Sequence, residues 1–261
     1  MIRRIIAAGL GMTLTLSLVW LGILSGQEKA AVTDNAKAAQ LAGALEAPDT
    51  SAADKAEPDG AAQTNAHTDP EADRLGAMDI DALQKINPDV IGWIHIPDTD
   101  IDYPLLHGDD NEHYLKHTWN NVPNPAGAIF MEHENAEDMS DFNTIIYGHN
   151  MRSGSMFGSL KKYAEQAYWE AHPHIYIRHD SGVDCYDIFA AYKVRPATIT
   201  YAMRIDPPQM REEFISCALD GSQIQTGIRP KQEDKILTLS TCIGDPAFRW
   251  VVQAVLNDEQ A

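Results

Sequence analysis

Three cysteines and ten histidines are the residues of this 261-residue chain best suited to covalent or acid-base chemistry. Cys242 ends the apolar run Ile236-Leu237-Thr238-Leu239-Ser240-Thr241 and precedes the turn sequence Ile243-Gly244-Asp245-Pro246. A thiol at the lip of a strand is held rigidly yet stays reachable, which makes Cys242 the candidate nucleophile. Cys217 lies on the apolar stripe of a helical pattern and Cys185 opens a strand, so both read as small core hydrophobes. A thiol is mostly protonated at neutral pH and needs an imidazole or another cation beside it. His149 follows the strand-like Thr144-Ile145-Ile146-Tyr147 through Gly148, the same lip placement as Cys242. The groups His107, His113, His117 and His172, His174, His179 lie in polar stretches and read as solvated residues. No acidic or cysteine partner sits at a repeated metal-site interval near them, so no metal is expected.

The elements that must position these residues begin at about Leu75, where tryptophans, tyrosines and alternating apolar residues appear and continue to Leu256. Strand-like runs are Ile91 to Ile96, Gly127 to Met131, Asn143 to Tyr147, Ile175 to Arg178, Cys185 to Val194, Lys235 to Thr241 and Trp250 to Leu256. Period two puts Tyr186, Ile188, Ala190, Tyr192 and Val194 on one face. Asp79 is expected to cap a short helix carrying Ile80, Leu83 and Ile86, ended by Asn87-Pro88. A longer helix is expected with Asp206 as cap, Pro207 and Pro208 in its first turn, an apolar stripe of Met210, Phe214, Cys217 and Ala218, and Gly221 at its end. Many strands, few helices and no βαβ rhythm predict a mostly β fold closed into a barrel.

Charge divides the rest of the chain. Arg3 and Arg4 precede Ile5 to Leu24, a run without a charged residue, long enough at helical rise to cover the roughly 30 Å of a hydrocarbon core. The run exceeds a signal-peptide core and lacks a good cleavage site after Leu24. An uncleaved anchor over residues 1–27 is therefore expected, with a cleaved signal peptide as the alternative. The arginines place the short end in the cytoplasm and the remainder outside. Residues 28–75 are rich in Ala, Asp, Glu, Thr and Pro without a Phe, Trp or Tyr, and read as a disordered linker with at most a transient helix over Ala36 to Ala47. Residues 76–261 form the folded part. The net charge of −18 argues against a nucleic-acid binder, which needs clustered cations.

The string Asp141-Phe142-Asn143-Thr144-Ile145-Ile146-Tyr147-Gly148-His149-Asn150, with Gly154-Ser155-Met156-Phe157-Gly158 after it, closely resembles the histidine region of class B sortases. Thr238-Leu239-Ser240-Thr241-Cys242 is similar to the sortase cysteine motif, and Arg249-Trp250-Val251-Val252 to the family's arginine strand. Asn87-Pro88-Asp89-Val90-Ile91-Gly92-Trp93-Ile94 with Ile101-Asp102-Tyr103-Pro104 resembles the class B amino-terminal segment. The resemblance runs from about Leu83 to Leu256. It implies a sortase barrel of about eight strands with amino-terminal helices, and a further helix in a late inter-strand loop. It also implies transpeptidation by Cys242, His149 and Arg249 without cofactor or metal. Ser240 and Leu115 fall where the family lines its peptide groove. The implied partners are secreted proteins with a carboxy-terminal sorting signal, and an amine of a peptidoglycan precursor or of a pilin. The implied location is the outer face of the cell membrane. The stretch between Cys242 and Arg249 is short for class B, so the acceptor pocket is expected to differ.

Residue chemistry is consistent with these roles. An imidazolium at His149 can stabilise a Cys242 thiolate and protonate a departing amine. Arg249 holds its proton beyond pH 12 or so and cannot be a base, but a fixed cation suits an oxyanion. Two other readings stand beside this one: a cell-wall cysteine hydrolase and a non-catalytic surface binding module. Papain-like and NlpC/P60-like hydrolases put the cysteine first, on a helix amino terminus, whereas here His149 comes first and Cys242 ends a strand.

Overall fold

The structure, a computed structural model, describes residues 26–43, 69–242 and 245–257. Five helices and eight strands are used below. Helix α1 covers 26–41; α2 is Pro70–Gly76, α3 Ile80–Gln84, α4 Gln166–Ala171 and α5 Pro208–Gly221. The strands are β1 Val90–His95, β2 Asp102–Leu106, β3 Ile129–Met131, β4 Asn143–Tyr147, β5 His174–His179, β6 Gly182–Val194, β7 Ile236–Cys242 and β8 Arg249–Leu256. They close into one barrel in the order β1-β2-β3-β4-β7-β8-β6-β5. Closure leaves no strand edge unpaired.

Alternation supplies the interior. Ile94, Leu105, Met131, Ile146, Ile177, Ile188, Leu239 and Val252, one from each strand, belong to a single buried cluster. Burying side chains of this size stabilises by about 1.5 to 3 kcal/mol apiece. Two further clusters lie under the helices. Leu75, Ile80, Leu83, Trp93, Tyr114, Trp119 and Phe130 pack together with alanines of α1, and Phe142, Phe189, Phe214, Ile215 and Ala218 pack beneath α5.

Several expectations are corrected. The strand β2 was not among the runs read from sequence, because Pro104 interrupts it. Pro104 is nonetheless paired with Trp93. The strand β6 does not keep one face: its register against β8 shifts between Ile188 and Ala190. Tyr186 and Ile188 therefore join the cluster drawn from every strand, whereas Ala190 and Tyr192 join the one beneath α5, as a bulge requires. Asp206 does not cap α5. The cap position is Pro207, with no side-chain bond, and proline in the first turn removes a donor that a cap would otherwise satisfy. The buried stripe of α5 is Phe214, Ile215 and Ala218, one position away from Cys217, which is exposed, as is Met210. In α3 the helix ends at Gln84, and Ile86 is exposed.

The largest correction concerns the linker expected over 28–75. Within it, α1 is ordered against the barrel, with Ala31, Ala38, Ala39 and Ala42 buried. The helix α2 is capped by Asp69, whose carboxylate accepts the N–H groups of Glu71 and Ala72. Composition missed α1 because alanine gives little apolar area; its small side chain instead lets a helix lie close to a neighbour. The expected anchor run, Ile5 to Leu24, and residues 44–68 of the linker lie outside the described residues. Among those described, no helix is long and apolar enough to cross a membrane.

Candidate active site

The register of three strands sets the site. β4 and β7 are parallel neighbours, with Tyr147 opposite Ser240, so both chains leave the barrel at the same rim. The ladder extends one step further: the Gly148 N–H donates to the Ser240 carbonyl at 3.3 Å, and the Thr241 hydroxyl donates to the Gly148 carbonyl at 2.7 Å. His149 thus emerges beside Cys242. The strand β8 is antiparallel to β7 and begins with Arg249 directly opposite Cys242. One rim accordingly receives all three side chains, although 93 positions separate His149 from Cys242 in the chain (242 − 149 = 93).

A cleft of about 300 Å³ opens there, lined by His149, Cys242, Arg249, Ser240 and Leu115, together with Asn111, Phe130, Tyr147, Gly148 and Thr241. All five site residues expected from sequence therefore share one cavity. Cys242 is exposed to it, while Ser240 and Thr241 are buried in the wall. Gly148 is required by space: a Cβ there would lie 2.5 Å from Ile129 Cδ1 and 2.8 Å from the Phe157 ring.

The imidazole of His149 has a defined orientation. Its Nε2 lies 2.8 Å from the Leu115 carbonyl, which can only accept, so Nε2 carries a proton. Nδ1 is then the nitrogen that can take up or release one. Leu115 thus contributes its backbone to the site as well as its side chain to the cleft. The guanidinium of Arg249 donates from Nη1 to the carbonyls of Pro246 at 3.1 Å and Phe248 at 3.0 Å. Among the described residues, no carboxylate lies within ion-pair distance of Arg249. Its charge is therefore uncompensated by a salt bridge at the rim.

Three tyrosine and glutamate side chains were not anticipated. Tyr147 donates its hydroxyl to Glu132 at 2.8 Å. Burial, and then the Glu132 carboxylate, push that phenol well above its ordinary range, with Arg249 acting in the opposite direction. Tyr201 shares a hydrogen bond of 2.9 Å with the Ser240 hydroxyl. Burial raises its phenol, while the Ser240 hydrogen bond and then Arg249 act in the opposite direction. Glu132 also accepts from Asn111, which fixes that wall of the cleft. Tyr147 lies within a recognised string, but Tyr201, at the end of a short 3-10 turn over Ile199–Tyr201, and Glu132, just after β3, have no local signal.

The other cysteines differ from Cys242. Cys185 is buried, and burial pushes its thiol up to about 12. Its sulfur lies near His174 and Asp187, whose ligand atoms and its own are all within 4.8 Å of one another. The imidazole and carboxylate there are already paired at 2.8 Å. Cys217 sits on the outer surface of α5.

Comparison with known proteins accords with this geometry. The sortase domain family matches residues 94–257. Sortase B of Listeria monocytogenes is 38% identical over 181 residues, 67% of this chain and 72% of that protein. Sortase B of Staphylococcus aureus is 32% identical over 62% of this chain and 66% of its own length. The solved Staphylococcus aureus sortase B–substrate complex superposes with a TM-score of 0.65 at 30% identity, covering 68% of this chain and 84% of that one. With a closed eight-stranded barrel, an exposed strand-end thiol and a family match over most of its length, the chain belongs to the class B sortases, a family of cysteine transpeptidases.

Proposed function

We propose that Cys242 is the nucleophile, His149 the proton carrier and Arg249 the oxyanion cation in transfer of a secreted protein to an amine. The observation that carries this reading is the meeting of the three side chains in one cleft at the ends of β4, β7 and β8. The Cys242 thiolate adds to a backbone carbonyl carbon of a carboxy-terminal sorting signal. The electron pair moves to the carbonyl oxygen, which the Arg249 guanidinium faces. Collapse breaks the C–N bond, and His149 Nδ1 passes its proton to the departing amine. The remaining thioester is attacked by a second amine, which gives its proton to Nδ1 as the new amide forms and the thiolate leaves. Removing one donor from such an oxyanion site typically costs about 10² to 10³ in rate.

The acceptor is an amine of a peptidoglycan precursor or of a pilin subunit, and Ser240 and Leu115 line the groove for the signal peptide. The run Ile5 to Leu24 anchors the protein with Arg3 and Arg4 in the cytoplasm and the barrel on the outer face. Protease added outside intact cells should then remove the barrel while leaving an amino-terminal epitope protected.

The test of the reaction uses labelled carboxy-terminal peptides of secreted proteins encoded near this one, with and without a glycine-type amine. Product that requires the amine is expected. Product that forms equally well without it favours a hydrolase, and iodoacetamide labelling of Cys185, Cys217 and Cys242 at equally slow rates favours a binding module.

A further inference from the structure

We propose that α1 is a positioning strap that holds His149 in register with Cys242; the proposal rests on the transpeptidase reading above. His149 is fixed at two points on two different loops. Its Nε2 donates to the Leu115 carbonyl at 2.8 Å, and its carbonyl accepts the Phe157 N–H at 2.9 Å. The first contact belongs to the connection between β2 and β3, the second to the turn after β4. The helix α1 touches both connections.

On the first, the Trp119 indole donates to the Asp34 carbonyl at 2.9 Å, and the Asn124 amide donates to the Gln27 carbonyl at 2.9 Å. Both side chains are buried. Asn124 also fixes the stretch next to Leu115, because its N–H donates to the Lys116 carbonyl at 2.8 Å and its carbonyl accepts the Gly127 N–H at 3.0 Å. Gly127 has φ +63 and lies under the imidazole: a Cβ there would stand 3.1 Å from His149 Cδ2 and 2.4 Å from the Tyr114 carbonyl. Movement of this connection is therefore passed directly to the ring. On the second, Asn35 donates to Met156 Sδ at 3.8 Å and Ser153 donates to Glu28. Met156 adopts φ +53, a backbone state that its surroundings must enforce.

What brings the helix this close is alanine. Ala38 is fully buried, so a longer side chain there must lift α1 from the barrel and leave two buried donors, the Trp119 indole and the Asn124 amide, without partners. A misplacement of about 1 Å at a reacting group can cost roughly 10²-fold. No strand is altered by such a change, and the sulfur stays on β7.

The experiment compares the full chain with its Ala38→Glu and Ala38→Ser variants, using iodoacetamide to read Cys242 and a labelled sorting peptide with amine to read turnover. Ala38→Glu should slow Cys242 alkylation and lower kcat by roughly ten- to hundredfold, with KM within about twofold of the parent. Ala38→Ser, which adds only one oxygen, should keep both near the parent values. Trp119→Phe removes the donor to Asp34 together with part of the buried ring, and should show a smaller drop of the same kind, with KM again within about twofold of the parent. Parental kcat and alkylation in Ala38→Glu would overturn the proposal, as would a loss that follows only the unfolded fraction measured by thermal denaturation. If Cys242 in the parent chain reacts no faster than Cys217, the transpeptidase reading itself fails.

Discussion

The rim formed by β4, β7 and β8 and the amino-terminal helix α1 solve the same problem in different ways. At the rim, backbone ladders fix where Gly148, Cys242 and Arg249 leave the barrel. Each bond there is repeated by its neighbours, so placement is shared over many residues. The helix α1 has no ladder. It is held by a small-residue face and a few side chains that reach its carbonyls. The rim sets where His149, Cys242 and Arg249 emerge, and the connection that touches α1 carries the Leu115 carbonyl on which the His149 ring rests. The proposed strap thus lies in a region whose composition alone reads as a linker.

Changes at the rim should have the largest effects. Cys242→Ser leaves the ladder intact but removes the thiolate, and peptide turnover should fall by roughly 10⁴-fold or more, measured by product formation under saturating peptide. Arg249→Met should lower kcat by about 10² to 10³, and Arg249→Lys should recover only part of it, since a point charge cannot reproduce the planar fork. Gly148→Ala tests the packing behind His149. The added methyl meets Ile129 and Phe157, so thermal stability should drop by about 1 to 3 kcal/mol, accompanied by slower turnover.

A smaller effect sharpens the amino-terminal side. Burial alone would raise the Asp102 carboxyl, but the His95 and Trp93 hydrogen bonds and Arg74 of α2 outweigh it and hold the group below its usual range. A carboxyl depressed in the folded state adds stability that is present above its unfolded pKa of about 3.9 and is lost as pH falls through the folded value. Unfolding measured between neutral and strongly acidic pH should show this loss on the acid limb. Asp102→Asn should flatten that limb while lowering stability near neutrality.

Much of the rim was legible because its information is local. An apolar strand leads through a glycine to His149 and directly to Cys242, and recognisable strings surround both. What stayed hidden depends on contacts remote in sequence or on exceptions to periodicity. Pro104 concealed β2, and the bulge between Ile188 and Ala190 exchanged the faces of β6. Cys217 lies one helical position away from the buried stripe. Tyr201 reaches Ser240 across 39 residues. The alanine-rich stretch from Ala36 reads as a transient helix at most, and what the sequence does not show is that Trp119 and Asn124 hold α1 against the barrel.

The most direct test of the central claim is to trap the acyl group. The full chain is incubated with a sorting peptide in the absence of amine, quenched in acid, digested and examined by mass spectrometry. A thioester is expected on the peptide containing Cys242, lost on treatment with hydroxylamine and absent in His149→Ala. A peptide that is cleaved while Cys242 stays unmodified, or an adduct on Cys217 instead, would contradict the account.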